Sequence, residues 1–140
     1  MKTALLDVNL LLALAWPNHQ HHALAHDWFR RESRHGWATC ALTQLAFVRL
    51  SSNPAYTPAP ATPIQAAELL RKLAGHAAHH YWKSLPELHP AMLAHVLGHQ
   101  QVQDAYLVRL AGRHGGRLVT FDRRLTAHVT SADLVHVVSA

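Results

Sequence analysis

The sequence predicts an α/β fold, a central parallel β-sheet flanked by α-helices on both faces, and three observations carry that prediction. Short apolar runs alternate with longer amphipathic stretches along the whole chain, the pattern of strand and helix laid down in turn. At 140 residues with 49% apolar and 15% charged side chains, the chain suits one compact domain, residues 1–140, that buries roughly two-thirds of its unfolded surface. Finally, acids are scarce, eight against thirteen Lys and Arg, and three of them (Asp7, Asp104 and Asp122) fall where a strand would end or a helix begin.

Taken in order, Thr3–Leu6 reads as a short buried strand stopped by Asp7, after which Leu10, Leu11, Leu12 and Leu14 enter a helix. A longer amphipathic helix is predicted over His19–Arg34, with Ala23, Leu24, Trp28 and Phe29 on its apolar side and Gly36 ending it. Trp37–Leu42 is the next strand, and Thr43 can cap a helix that Asn53-Pro54 breaks. The segment Tyr56–Pro63, stiffened by three prolines, is a loop; Thr62-Pro63 then opens a helix to about Gly75.

Ala77–Lys83 follows as a strand. Pro86 and Pro90 bracket a turn, and a short helix is predicted to carry Met92, Leu93, Val96 and Leu97 up to Gly98. The Gln101–His114 stretch is strongly helical, ended by Gly115-Gly116, and Arg117–Phe121 and Leu134–Val138 complete the set of strands. Alternation of this kind favours a parallel sheet, in which functional groups collect at the carboxyl ends of the strands. Asp7 and Asp122 fall at such ends, and Asp104 starts a helix that can lean over the same edge.

Composition narrows the function classes. A net charge of +5 favours polyanionic partners such as nucleic acid. The single cysteine, Cys40, excludes an internal disulfide and a multi-cysteine zinc site, fits a reducing cytoplasm, and sits in a small apolar stretch as a packing residue. Lys2 and the leucine run imitate a signal peptide, but Asp7 and Asn9 interrupt the apolar region such a peptide requires, and no segment reaches the ~18 apolar residues of a membrane span.

Each aspartate has a structural alternative: Asp7 as a turn residue, Asp104 as an acid in a first helical turn, Asp122 as a cap for Arg123–Val129. Their joint placement points further. Two carboxylates about 4 Å apart repel by roughly 4 kcal/mol at an effective dielectric of ~20, so convergence implies a cation. Oxygen-only ligands select a hard ion such as Mg²⁺ or Mn²⁺, which in nucleases orients the phosphate, supplies the attacking hydroxide and stabilises the leaving oxygen.

The segments Leu5-Leu6-Asp7-Val8-Asn9, Leu42-Thr43-Gln44-Leu45-Ala46-Phe47-Val48-Arg49-Leu50, Val102-Gln103-Asp104-Ala105-Tyr106-Leu107 and Leu118-Val119-Thr120-Phe121-Asp122-Arg123 resemble the motifs of PIN-domain ribonucleases, most closely the VapC toxins of toxin-antitoxin systems. The resemblance implies a PIN-like fold and Mg²⁺-dependent cleavage of RNA by metal-activated water. It also implies inhibition of translation by the free toxin, neutralisation by a cognate antitoxin whose tail fills the active-site groove, and often a homodimer. It assigns Asp7, Asp104 and Asp122 to the acidic site, with Asp7 and Asp104 touching metal directly, and Asn9 and Thr120 to the polar groups that hold a ligand or water in place. Gln44 stands where most of the family has Glu, and Gln103 where Thr is often found. A neutral amide at 44 leaves three carboxylates and predicts weaker metal binding; the alternative function is therefore a catalytically weak PIN-like module that holds RNA or an antitoxin.

Fourteen histidines are unusual. His19, His22 and His26 share helical spacing and open the option of a transition-metal site, while dispersed histidines elsewhere solvate a surface and gain charge below about pH 6.5. Arg49 and Arg123 are candidates for contact with RNA or antitoxin, with Arg124 also beside the acidic site. Trp16, Trp28, Trp37 and Trp82 stand at apolar positions suited to the core or a dimer contact.

Overall fold

The computed structural model describes residues 2–128 and 132–139. Five strands, β1 (Ala4–Leu6), β2 (Trp37–Cys40), β3 (His79–Trp82), β4 (Arg117–Thr120) and β5 (Val135–Val137), form one sheet in the order β3-β2-β1-β4-β5. All four pairings are parallel, as the alternation of elements predicts. The helices are α1 (Val8–Ala15), α2 (His22–Glu32), α3 (Ala41–Ser51), α4 (Pro63–Ala74) and α5 (Val102–Arg113).

Both faces of the sheet are covered, and alternate strand residues feed two cores. Ala4, Leu6, Trp37 and Val119 pack with Leu10, Leu11, Trp28, Phe47 and Leu70 of the first four helices. Leu5, Ala38, Cys40 and Leu118 face the other way, onto Leu107, Val108, Leu110 and Ala111 of α5. This is the two-residue period of a strand applied to a sheet buried on both faces at its centre, with His80 and Tyr81 of the edge strand β3 left exposed.

Connections fix where the ends lie. After α5 the chain reaches β4 through Gly115, at φ 70°, and Gly116, where a Cβ would stand 2.5 Å from the Thr3 carbonyl oxygen. So tight a return puts the end of α5 at the amino edge of the sheet. Its first turn, about 18 Å back along twelve residues, therefore lies toward the carboxyl edge. Asp104 is in that turn.

Two local expectations need correction. The helix after β2 begins at Ala41, directly from the strand. Cys40 is its N-cap, and Thr43 sits three residues on, its Oγ1 accepting from Cys40 N at 3.1 Å. The helix expected over Met92–Leu97 is only a 3-10 turn, Pro90–Leu93: seven residues separate Pro90 from Gly98, and Leu97, 93% exposed, has no core to face. The expected capping by Asp122 is present: its Oδ1 accepts from Arg124 N at 3.0 Å at the start of a 3-10 helix over Arg123–His128, and Val129 lies outside the described residues.

Candidate active site

Asp7 is the N-cap of α1 and only 5% exposed. β1 and β4 are hydrogen-bonded neighbours, with Leu6 in register with Val119 and Asp7 N donating to Val119 O at 2.9 Å, so the residues just beyond both strands meet. One Asp7 carboxylate oxygen accepts from Val8 N at 2.8 Å and the other from the Thr120 hydroxyl at 2.7 Å.

Thr120 is the hub of the edge. Its hydroxyl donates to Asp7 and accepts from Asn9 Nδ2 and from Asp122 N, both at 3.1 Å. That exhausts the one donor and two acceptor sites of a hydroxyl. Asn9 in turn accepts from Phe121 N at 3.3 Å, pinning the turn that carries Asp122. Thr120 is thus bonded directly to Asp7 and to the backbone of Asp122, and Asn9 reaches the acids through Thr120 and Phe121.

Asp104 lines a small pocket with Asp122, Gln100, Gln101, Arg124 and Leu125. Burial pushes its carboxyl up to about 6, and the negative charges of Asp7 and Asp122 add to the rise. Asp7 is raised as well, by burial first, against the lowering effect of its bonds from Thr120 and Val8, with the Asp122 charge adding to the rise. The three aspartates therefore share one electrostatic neighbourhood. Among the described residues, however, no group of three or more His, Cys, Asp or Glu side chains is assembled to hold a metal. Asp122 is engaged by Arg124, Nε to Oδ1 and Nη2 to Oδ2 at 3.1 Å each.

A hard divalent ion fits this donor set. Two carboxylates, one of them almost fully buried, with water and substrate phosphate completing the shell, is the arrangement Mg²⁺ takes in phosphoryl-transfer sites. The chemistry agrees: at Asp104 burial and mutual repulsion outweigh the opposing charge of Arg124, so the ionised carboxyls have room for further positive charge, which a cation supplies.

Other candidates stand elsewhere or act differently. Gln44 donates its amide to Thr39 Oγ1 at 3.1 Å, and that hydroxyl also bonds His79 Nε2 at 2.8 Å; Gln44 lines a groove between α3 and α4 with Leu45, Val48 and Ile64. Arg49 and Arg123 are both exposed, and it is Arg124 that grips Asp122. Sequence gives no means of choosing between adjacent arginines; the distinction arises from the turn after Asp122, whose Oδ1 also accepts Arg124 N at 3.0 Å. His22 and His26 donate to the carbonyls of Ala13 and Leu14 at 2.7 and 3.0 Å, so these rings close the end of α1 and do not converge with His19 as metal ligands. Trp28, Trp37 and Trp82 are buried, and Trp16 is half-buried.

With this geometry in view, comparison with known proteins is informative. Residues 4–129 match the model of the PIN domain. The chain is 45% identical to Ribonuclease VapC39 of Mycobacterium tuberculosis over 96% of this chain and 99% of that protein. It is 44% identical to Ribonuclease VapC38 of the same organism over 85% and 84% of the two chains, and 39% identical to its Ribonuclease VapC44 over 87% of each. The chain belongs to the PIN-domain family, among its VapC ribonucleases.

Proposed function

We propose that this protein is a metal-dependent endoribonuclease, the toxin of a toxin-antitoxin pair, acting in the cytoplasm on RNA until a cognate antitoxin neutralises it. The observation that carries the reading is the meeting of Asp7 and Asp122 through Thr120 at the carboxyl edge of β1 and β4, with Asp104 sharing a pocket with Asp122. Asp7 and Asp104 would hold Mg²⁺ or Mn²⁺, and Asp122 completes the negative charge. When bound, the ion supplies Lewis acidity at the phosphate and acidifies a water for attack on phosphorus.

The chain's own residues do the positioning. Thr120 and Val8 N hold the Asp7 carboxylate in one orientation. Asn9 and Thr120 fix the turn that carries Asp122. Arg124, beside Asp104 and Asp122, offers a guanidinium that can exchange from Asp122 to a substrate phosphate. The net charge of +5 supports attraction of RNA. The buried, unpaired Cys40 is compatible with a reducing compartment, and no described helix is long and apolar enough to cross a membrane. Exposed Leu45 and Ile64 beside the α3–α4 groove support contact with a protein partner, an antitoxin or a second copy of the chain.

The test is substitution of the two proposed ligands in purified, antitoxin-free protein. Asp7→Asn and Asp104→Asn are each expected to lower Mg²⁺-dependent RNA cleavage by at least ~100-fold and to abolish growth inhibition. Unchanged cleavage by either variant would end the metal-site reading.

A further inference from the structure

A second cavity, of about 340 Å³, lies between the connection from α1 to α2 and the loop of residues 53–61. Trp16, Asn18, His19, Gln20 and Tyr56 line it above Leu12. Trp16 is fixed in place: its Nε1 donates to Ser51 Oγ at 2.9 Å, and its ring lies parallel to Phe47 at 6.4 Å between centroids. His19 Nδ1 accepts from His21 N at 3.0 Å, which leaves the ring's proton on Nε2 as a donor. Tyr56 is 47% exposed. The lining therefore combines two aromatic rings, two amides and an imidazole, and has no Lys or Arg.

That chemistry suits one class of ligand. A phosphate would call for cations, and an aliphatic side chain gains little from paired amide donors and acceptors. A nucleobase uses both kinds of wall, stacking its face on an aromatic ring and offering its edge to Asn and Gln. The cavity's location agrees. α1 links the two places directly, with Asp7 as its N-cap and Trp16, in the cavity wall, as its C-cap. At the other end of the same connection the His21 ring packs on Phe121 at 5.1 Å between centroids, one residue before Asp122.

We propose that this cavity is a nucleobase subsite, receiving one unstacked base of an RNA strand whose neighbouring phosphate lies at the acidic edge, with Tyr56 as the stacking ring and Asn18 and Gln20 reading the base edge. The proposal rests on the ribonuclease reading for its substrate, but binding tests it separately. Four fluorescein-labelled dodecamers (oligo-A, -C, -G and -U) and an abasic dodecamer of equal charge are titrated by anisotropy in EDTA. Wild-type protein is expected to bind at least one homopolymer roughly tenfold more tightly than the abasic strand. Tyr56→Ala and the Asn18→Ala/Gln20→Ala pair are expected to erase that preference while leaving abasic affinity and the thermal transition unchanged.

Equal binding of all five strands by wild type, or a preference that survives both variants, overturns the subsite. So does a result in which the variants alter only inhibition by an antitoxin peptide, since the cavity would then be a protein contact. Total cellular RNA with Mg²⁺ reports cleavage independently: binding preference without any cutting of that mixture would sink the ribonuclease reading and leave the subsite standing.

Discussion

A single hydroxyl organises the acidic edge. Thr120 satisfies Asp7, Asn9 and the backbone of Asp122 at once, so Thr120→Val removes three hydrogen bonds with almost no change of shape. Leaving a buried carboxylate short of a donor should cost about 1–3 kcal/mol in stability and lower Mg²⁺ affinity by roughly 10- to 100-fold, whereas Thr120→Ser keeps most of both. Calorimetric titration and urea melts check this, and wild-type metal affinity in Thr120→Val would remove Thr120 from the site. Gln44 is the opposite case. Its amide donates to Thr39 and to none of the three aspartates, so Gln44→Glu is expected to change Mg²⁺ affinity by less than about threefold; a gain of tenfold or more in cleavage would instead favour the weak binding module. The placement of Asp7 and Asp104 at helix starts could be read from sequence, because each punctuates an element and punctuation leaves a mark in the order of residues. Arg124 could not, because its role depends on one turn's geometry.

At the level of elements, the strands and long helices were legible wherever apolar periodicity and a Gly or Pro boundary agreed, as at Gly36, Thr62-Pro63 and Gly115-Gly116. The sequence misled where tertiary packing decides. Residues Met92–Leu97 look helical, yet at Pro90–Leu93 the chain completes only a 3-10 turn, since propensity without a face to bury does not sustain a helix. The histidine excess is also explained at this scale: His22 and His26 close the last carbonyls of α1, His76 accepts from Trp37 Nε1 at 3.2 Å, and His114 stacks on Trp82 with centroids 4.2 Å apart. Imidazoles here do the work of helix caps and aromatic fillers. Because helix α1 carries Asp7 at its other end, His22→Ala and His26→Ala should each destabilise the fold by about 1 kcal/mol with no loss of Mg²⁺ affinity. A double variant that melts like wild type would show that these caps contribute nothing.

For the molecule as a whole, protons and the proposed metal would compete for the same charges. The Asp104 carboxyl sits at about 6 in the folded chain, above its unfolded value near 4, and Asp7 is raised too. Both groups therefore stabilise the fold below the unfolded value, and that contribution is lost as pH rises, for Asp104 through about 6. His19, His79 and His136 act in the other direction: burial is the first cause that lowers each of them, so their contribution is present above about 6.5 and lost as pH falls through their depressed values. A bare melting temperature mixes the two trends. The shift produced by saturating Mg²⁺ separates them, because the ion acts where the aspartates are ionised and the histidines lie outside their pocket. That shift should be several-fold larger at about pH 7.5 than at about pH 5, and Asp104→Asn should flatten the dependence. A Mg²⁺ shift equal at both pH values in wild type would mean that the ion does not bind at the expense of these protons, and the assignment of Asp7 and Asp104 as its ligands would fall with it.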